Sequence, residues 1–232
     1  MGNLKNLLLQ LRLIGIKRKL HTLAHGADAV AQIEIDCLRE CGIKGIILDL
    51  DNTIISEDDQ YLSPGAEEWI TQTKLAGLHF FILSNGKRHY RVKYWSHRLN
   101  IQAISPAQKP FPSAFHKAIA YMQLNPKQVV VIGDSLHTDV LGAWLSGCSC
   151  IQVPTLPHPP TWWEKFAGKW VQKPYPNICK LGKFDAVLEY KKFLYIMIYI
   201  KQNPRNKAIR LLDFIRSNVY NLWNRKSLPA RV

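Results

Sequence analysis

The 232-residue sequence has no apolar run of the roughly 18 to 20 residues that a membrane-spanning helix requires. Its longest strongly apolar run, residues 193–200, has eight residues and is interpreted as a buried strand or as an insertion at a membrane interface. Neither glycine nor proline is enriched, with 13 of each, which excludes a collagen-like or low-complexity chain. The hydrophobic fraction of 47% instead predicts a packed globular domain.

Cysteine is sparse as well. The five cysteines are an odd number without a C-x-x-C pair, and no secretory signal pattern precedes them, so a disulfide framework is not expected. Cys37 and Cys41 are one helical turn apart, and Cys148 and Cys150 lie on one face of a predicted strand. Reduced core thiols are the favoured interpretation, and a zinc site is the alternative that this spacing leaves open.

Net charge is absent from the middle of the chain. Residues 45–160 carry nine basic and nine acidic side chains, whereas residues 1–44 carry seven and four, and residues 161–232 carry fifteen and four. The formal charge of +14 therefore resides on the flanks. Because a nucleic-acid-binding domain is expected to carry its basic surface on the folded body, this distribution indicates chemistry in the centre and a polyanionic partner for the flanks.

The first 25 residues combine five basic and no acidic side chains with leucines largely at helical spacing. This pattern predicts a basic amphipathic helix, which can lie on an anionic membrane, pack on the domain or serve as a transit peptide, although the lack of serine argues against the last. We therefore divide the chain into a basic amphipathic segment (residues 1–27), a core domain (28–176) and a basic extension (177–232).

Between the flanks, short apolar runs alternate with amphipathic segments of about ten residues. The runs predict strands at residues 45–50, 78–83, 101–104, 129–133 and 149–153. The segments between them predict helices at residues 64–76, 89–99, 113–123 and 138–146, the first with Ser63 as its N-cap. Strands that alternate with helices are joined by right-handed crossovers. We therefore predict an α/β fold with a doubly wound, three-layer, Rossmann-like parallel sheet and basic amphipathic terminal extensions.

Polar residues follow four of these strands where each strand ends. They are Asp49 and Asp51 at the end of the first strand, Ser84 and Asn85 after the second, Lys109 after the third, and Asp134 and Asp139 after the fourth. Because ligands bind at the carboxyl ends of parallel strands, one site can be assembled from all of them. Asp49 and Asp51 point to one side of an extended segment, where a divalent cation would relieve their repulsion. An isolated D-x-D pattern would be interpreted as a surface turn. Polar residues at the ends of four successive strands instead favour a catalytic site.

The segments IILDLDNT, SN, the lysine at 109 and GDSLHTD resemble the four motifs of the haloacid dehalogenase superfamily of phosphotransferases, over residues 28–155. The resemblance implies that Asp49 is the nucleophile, which forms an aspartyl-phosphate, and that Asp51 is the general acid and base of a phosphatase. It also implies an Mg²⁺ site formed by Asp49, Asp134 and the main-chain carbonyl of Asp51, with Asp139 in support. The residues implied to bind the substrate are Asn52, Thr53, Ser84, Asn85 and Lys109, of which Lys109 is also catalytic.

Within the superfamily the chain is most similar to the capless subclass IIIA group of YqeG type, which includes phosphatidylglycerophosphate phosphatases. The segments that carry this likeness are IEIDCLRECGIKGIILDLDNT, RVKYW, the Lys-Pro at 109 and the GD-x-x-x-TDV-x-GA run. Two positions depart from the group, because Gly86 stands where Asn is expected and Ser135 where Gln is expected. These departures bear on the choice of substrate.

The spacing of the motifs predicts a site without a cap domain, since only 32 residues separate Asp51 from Ser84 and 24 separate Ser84 from Lys109. An open site admits phosphate carried on a large molecule. We expect a phosphorylated lipid such as phosphatidylglycerophosphate, hydrolysed with Mg²⁺ by a cytoplasmic protein on the inner face of an anionic membrane, with organellar targeting left open. The alternatives are a phosphatase that acts on nucleic-acid ends or phosphoproteins, and a non-catalytic binding module that keeps the fold.

Arg88 and Arg91 follow Ser84 closely in the chain. They could bind a second anionic group of a substrate, but a solvent-exposed helix face is the expected position for both.

Overall fold

A computed structural model describes residues 27–160, 165, 172–176 and 181–184 of the chain. All of them belong to the unit Met1–Asp185. The predicted amphipathic helix, the apolar run at 193–200 and nearly all of the basic extension lie outside the described residues. The boundaries of the three predicted segments therefore stay predictions.

Five parallel strands form the main sheet. They are β1 (Gly45–Leu48), β3 (His79–Leu83), β4 (Gln102–Ile104), β5 (Val129–Gly133) and β6 (Ser149–Gln152), in the spatial order β4-β3-β1-β5-β6. Two strands of two residues each, β2 (Tyr61–Leu62) and β7 (Gly182–Lys183), pair antiparallel in a separate small sheet. The parallel sheet confirms the predicted α/β class.

The described part of the chain forms five α-helices: α1 (Ile35–Glu40), α2 (Ala66–Leu75), α3 (His89–Leu99), α4 (Pro112–Tyr121) and α5 (Leu141–Leu145). A π-helical turn, Leu136–Val140, leads directly into α5. The prediction contains neither α1 nor β2 nor β7, because each is too short to show a hydrophobic period.

Helices cover the sheet on both faces, because its strands are apolar on both sides. On one face, Ile47, Phe81 and Val131 belong to a buried cluster that includes side chains of α4 and α5. On the other face, the ring of Phe80 meets that of Trp69 in α2 edge to face, with a centroid distance of 5.9 Å. The arrangement is the three-layer fold that the alternating pattern predicts.

The close packing of α5 against α4 depends on Gly142. A Cβ at this position would lie 2.4 Å from the ring of Phe115, which is fully buried in α4. No larger residue fits there without a shift of one helix. The contact therefore fixes the position of α5 and of the π-helical turn that precedes it.

Two helix starts differ from the prediction. Helix α2 has Gly65 as its N-cap, in the left-handed conformation with φ of 70°, and no side chain caps it. Ser63 contributes its main-chain carbonyl instead, which accepts the N–H of Ala66 at 3.2 Å. The helix predicted for residues 138–146 begins as the π-helical turn, where the N–H groups of Asp139 and Val140 both reach the carbonyl of Ser135, at 3.0 and 3.3 Å.

The order of the strands reverses next to β1. Strands β3 and β4 lie on one side of it and β5 and β6 on the other, so the chain crosses back over the sheet after β4. In open α/β sheets, ligands bind at the carboxyl ends of the strands beside such a reversal. A site is therefore expected where the chain leaves β1 and β5.

Candidate active site

Asp49 and Asp134 follow β1 and β5, the two neighbouring strands at the reversal. The N–H of Asp49 donates to the carbonyl of Ile132 at 2.9 Å, which continues the pairing of β1 with β5 beyond Leu48. Both acids are buried, at 5% and 3% relative exposure. The sheet register therefore places two carboxyl groups side by side in the crevice.

A third acid and one lysine complete a buried cluster. Ligand atoms of Asp49, Asp134 and Asp139 all lie within 4.8 Å of one another. The Nζ of Lys109 donates to Asp49 Oδ1 at 2.6 Å and to Asp139 Oδ1 at 2.7 Å. The four side chains of this cluster come from residues spread over 90 positions of the chain, from 49 to 139, and they meet at one point. Their positions after parallel strands predict this meeting.

Burial and crowding shift the pKa values of this cluster. Burial, reinforced by the charge of Asp139, raises the pKa of Asp134 to about 7. The pKa of Asp49 is raised as well, mainly by burial and against the effect of Lys109. For Lys109, burial lowers the pKa, but the carboxylates of Asp139 and Asp49 outweigh it and leave the pKa above its usual value. Burial first, and then the neighbouring carboxylates, thus raise the pKa values of Asp49 and Asp134.

A divalent cation fits this cluster. Three buried carboxyl groups lie together, the ammonium group of Lys109 pairs with two of them, and a bound cation would add positive charge beside all three. Carboxylate oxygens are the ligands that Mg²⁺ prefers. The side chain of Asp51 is outside this group of three, so its predicted part in the metal site, through the main-chain carbonyl, stays a prediction.

The carboxyl group of Asp51 is bound to Ser84 and Arg91 instead. The hydroxyl of Ser84 donates to Asp51 Oδ2 at 2.5 Å and accepts the N–H of Gly86 at 2.9 Å. The Nη1 of Arg91 donates to Asp51 Oδ1. The two residues predicted as acid-base and phosphate-binding groups are therefore in direct contact.

Thr53 and Asn52 shape the turn that follows Asp49. The hydroxyl of Thr53 lies 3.4 Å from Asp49 Oδ2. Asn52 has a left-handed backbone, with φ of 59°, and its side-chain carbonyl accepts the N–H of Glu57 at 2.7 Å. Both residues thus support the turn, and their predicted contact with substrate stays a prediction.

Asn85 holds the segment that carries Lys109. Its side-chain oxygen accepts the N–H of Lys109 at 2.8 Å, and its side-chain nitrogen donates to the carbonyl of Lys109 at 3.0 Å. This pair of bonds joins the end of β3 to the residues after β4. Asn85 therefore positions the main chain of Lys109, a role that the sequence does not reveal, while its predicted binding of substrate stays a prediction.

The π-helical turn directs Asp139 toward the cluster. Its Oδ2 accepts the N–H of Ser135 and the hydroxyl of Thr138, both at 3.2 Å, which leaves Oδ1 for Lys109. The hydroxyl of Ser135 is 2.9 Å from Nδ1 of His137. Ser135 stands where the related group is expected to have Gln. Its main-chain N–H binds Asp139 of the acidic cluster, and its side chain binds His137 within the turn.

Two glutamine residues outside the predicted motifs bind Asp134. Gln152 donates to its main-chain carbonyl at 2.9 Å, and Gln172 donates to its Oδ2 at 3.2 Å. A bridge between Ser135 and Gln172 brings this later segment to the site. Sequence analysis missed Gln172 because it lies in a stretch without regular periodicity.

Arg91 is not on a solvent-exposed face, which corrects the prediction. Its side chain is 2% exposed, and it pairs with Asp51 and Asp59. The sequence contains a signal for this burial: Arg91 lies one turn before Trp95 in the apolar stripe that packs α3 on the domain. Arg88 is partly exposed, and its Nη1 donates to Asp59 Oδ2 at 2.8 Å.

Within the described ranges, the acids at positions 49, 134 and 139 form the single group of three potential metal ligands. The zinc site that the cysteine spacing left open is therefore not formed among these residues. No helix in this part of the chain is long and apolar enough to cross a bilayer.

Residues 106–175 match a family profile described as HAD-hydrolase-like. The chain is 42% identical over 116 residues to the probable phosphatase YqeG of Bacillus subtilis (strain 168), which covers 50% of this chain and 67% of that protein. It is 30% identical over 118 residues to the mitochondrial phosphatidylglycerophosphatase GEP4 of Saccharomyces cerevisiae, which covers 45% of this chain and 63% of that protein. Among solved structures, CbbY from Rhodobacter sphaeroides in complex with phosphate is 16% identical, with a TM-score of 0.40 over 54% of this chain and 91% of that one.

Proposed function

The chain belongs to the YqeG-type phosphatases of the haloacid dehalogenase superfamily, and we propose that it is an Mg²⁺-dependent enzyme that hydrolyses the phosphomonoester of a phospholipid headgroup. The reaction proceeds through an aspartyl-phosphate on Asp49. The substrate that we propose first is phosphatidylglycerophosphate.

One observation carries the proposed chemistry: Asp49, Asp134, Asp139 and Lys109 converge from separate strand ends in one buried cluster. Burying charged groups is costly unless they are paired. A structural ion pair would need one acid for the lysine, whereas this cluster has three. The excess of acid supports a site that works with a cation and an anionic substrate.

Asp49 acts as the nucleophile. One of its oxygens attacks phosphorus while the bond from phosphorus to the ester oxygen breaks, which leaves the phosphoryl group on Asp49. Two negatively charged groups repel each other as they approach. Lys109, bound to Asp49 Oδ1 in the structure, offsets this repulsion and stabilises the oxygens of the transferring group.

The residues that would hold Mg²⁺ are Asp49, Asp134 and the main-chain carbonyl of Asp51, with Asp139 in support. When bound, the ion supplies further stabilisation of negative charge on the phosphoryl oxygens. The hydrogen bonds of Gln152 and Gln172 to Asp134 hold that acid in place.

Asp51 transfers the proton in both steps. Its carboxyl group first gives a proton to the ester oxygen as that oxygen leaves phosphorus. Its carboxylate then takes a proton from the water that attacks the aspartyl-phosphate and releases Asp49. The cycle restores both acids, and its products are one alcohol and one inorganic phosphate.

A lipid substrate is supported by three features. One relative of the chain is named a phosphatidylglycerophosphatase. The basic excess of the sequence lies outside residues 45–160, which suits attraction to an anionic membrane. Residues 52–83 and 85–108 are taken up by β2, α2, β3, α3 and β4, which supports the prediction that the site is open to a large substrate. We propose that the protein acts on the inner face of a membrane.

The test compares phosphate release from four substrates. The purified full chain is incubated with anionic vesicles that contain phosphatidylglycerophosphate, with p-nitrophenyl phosphate, with single-stranded DNA that carries a terminal phosphate, and with a phosphopeptide. We expect Mg²⁺-dependent release, fastest from the lipid. Asp49→Asn should lower each rate on the order of 10⁴-fold or more, because it removes the nucleophile.

Asp36→Asn is the matched control, because Asp36 is an acid of α1 whose side chain is 85% exposed. It should keep the wild-type rates. Turnover of DNA or phosphopeptide without turnover of lipid would overturn the lipid substrate and leave the phosphatase in place. Equal rates for wild type and Asp49→Asn would overturn the mechanism itself.

A further inference from the structure

The guanidinium group of Arg91 is bound by acceptors on every donor nitrogen. Nε donates to Asp59 Oδ1 and Nη1 to Asp51 Oδ1. Nη2 donates to the main-chain carbonyls of Ile55 at 3.2 Å and Ser56 at 2.8 Å. The side chain therefore joins α3 to the loop that leaves Asp51, and its planar donors fix the direction of the contact with Asp51.

Asp59 prevents Arg91 from moving with Asp51. The carboxyl group of Asp59 is buried, at 6% exposure of its side chain, and its second oxygen is held by Arg88 Nη1 at 2.8 Å. A flexible or singly bound arginine could follow a carboxylate in several directions. Because Asp59 and two main-chain carbonyls also hold Arg91, its guanidinium group is fixed where it meets Asp51.

The two carboxyl oxygens of Asp51 have different surroundings. Oδ1 is bound to the fixed guanidinium group of Arg91, whereas Oδ2 accepts the hydroxyl of Ser84 at 2.5 Å. Gly86 has no side chain to fill the space beside these groups: a Cβ there would lie 2.9 Å from Asp51 Oδ2, 3.0 Å from Ser84 Oγ and 3.4 Å from Asp51 Oδ1. The distance to Oδ2 is the length of a hydrogen bond. A substrate oxygen in the space that glycine leaves would therefore lie nearer to Oδ2 than to Oδ1, and Oδ1 is already held by Arg91.

We propose that Arg91 is a positioning residue, which holds Oδ1 of Asp51 so that Oδ2 carries the proton to and from the substrate. This inference rests on the proposed phosphatase function. In the first step the proton moves from Oδ2 to the ester oxygen as the bond from phosphorus to that oxygen breaks. In the second step Oδ2 takes a proton from the attacking water.

The dependence of the rate on the leaving group tests the inference. A p-nitrophenolate ion leaves without protonation, whereas the alkoxide of glycerol 3-phosphate needs the proton of Asp51. The quantity to measure is kcat/KM, because it contains only the steps up to the aspartyl-phosphate. For Arg91→Met we expect kcat/KM to fall about 10²-fold with glycerol 3-phosphate, as expected of a displaced catalytic group, and far less with p-nitrophenyl phosphate. Asp51→Asn should change the ratio of the two esters in the same direction.

Arg98→Met is the control on the same helix. Arg98 pairs with Glu67 and stacks on the ring of Trp95 at 5.3 Å, so its loss removes a structural arginine without a contact to Asp51. It should leave the ratio of the two esters unchanged. If Arg91→Met does not fold, Asp59→Asn replaces it, since that change loosens the anchor and keeps Arg91.

The outcomes separate the inference from the proposed function. A fall that is equal for both esters, as a smaller folded fraction would give, overturns the positioning role and leaves the phosphatase standing. A change in the ratio for Arg98→Met as large as that for Arg91→Met also overturns it. If the wild type releases phosphate neither from these esters nor from vesicles that contain phosphatidylglycerophosphate, the proposed function is wrong and the inference falls with it.

Discussion

The carboxyl group of Asp139 lies directly against the main chain of Gly133. A Cβ on Gly133 would be 2.4 Å from Asp139 Cγ and 2.6 Å from its Oδ2. Asp139 is fully buried, and its other oxygen is bound to Lys109, so it has no room to withdraw. The glycine that ends β5 is therefore required for the acidic cluster to form.

Gly133→Ala should displace Asp139 and weaken the proposed metal site. We expect an activity loss of about 10- to 100-fold, which is usual when a group that supports a metal ligand is moved. The rise in melting temperature with Mg²⁺ should shrink in parallel. Gly42→Ala is the control, because Gly42 has φ of 76° with no atom near its missing Cβ, so the change costs about 1 to 2 kcal/mol of stability at an unaltered kcat. A fully active Gly133→Ala protein would refute the steric argument.

Lys109→Met removes the ammonium group between Asp49 and Asp139 at nearly constant length. We expect kcat to fall about 10²- to 10³-fold, because a fixed donor to the transferring group is lost. Without Mg²⁺ the loss of stability, measured by urea unfolding, should stay below the roughly 3 to 5 kcal/mol of a broken buried pair, because the raised pKa of Asp49 lets it take up a proton.

Lys117→Met is the matched control. Lys117 is an exposed residue of α4, the helix that follows Lys109 closely in the chain. The variant should retain both kcat and stability. If Lys109→Met also kept the wild-type kcat, the lysine would be a structural partner of the acids and nothing more.

Much of the fold and of the acidic cluster could be predicted from the sequence, since both follow from where apolar strands end. Asp49, Lys109, Asp134 and Asp139 each come after a strand, and a parallel sheet brings such positions together. The prediction needs the parallel direction of the strands but no side-chain detail. The predicted cluster therefore does not depend on the exact residue at which each strand or helix ends.

The contacts that support the cluster could not be predicted, because they depend on the direction of individual side chains. Asn85 looks like a phosphate-binding residue in the sequence, yet both ends of its amide bind the main chain of Lys109. Arg91 looks solvent-exposed by its charge, yet its helical position places it among buried residues. Gln172 reaches Asp134 from a segment without periodicity. Periodicity and spacing do not encode such contacts.

Removal of the metal should abolish activity and preserve the fold. The buried core of the sheet is formed by apolar side chains on both faces, and the acidic cluster lies at its edge, so EDTA should leave the far-UV circular dichroism unchanged. Added Mg²⁺ should restore phosphate release and raise the melting temperature, since a ligand that binds only the native state stabilises it.

Asp134→Asn should lose this rise in melting temperature, and the exposed control Asp36→Asn should keep it. EDTA saturated with Mg²⁺ serves as the control for the chelator itself. Full activity after exhaustive dialysis against EDTA would contradict a metal-dependent mechanism.

The basic flanks should matter for a lipid substrate and not for a soluble one. Each basic residue near an anionic membrane contributes about 1 kcal/mol to binding. Replacing Lys17, Arg18 and Lys19 by glutamine should therefore weaken vesicle binding about 10²-fold at low salt and lower phosphate release from lipid, with turnover of p-nitrophenyl phosphate unchanged.

The matched control replaces Lys93, Lys117 and Lys127, which are exposed on the core domain, by glutamine. Because both triples remove the same charge, an equal loss of vesicle binding would mean that total charge attracts the membrane, and no loss in either would remove the flanks from the proposed lipid-binding role.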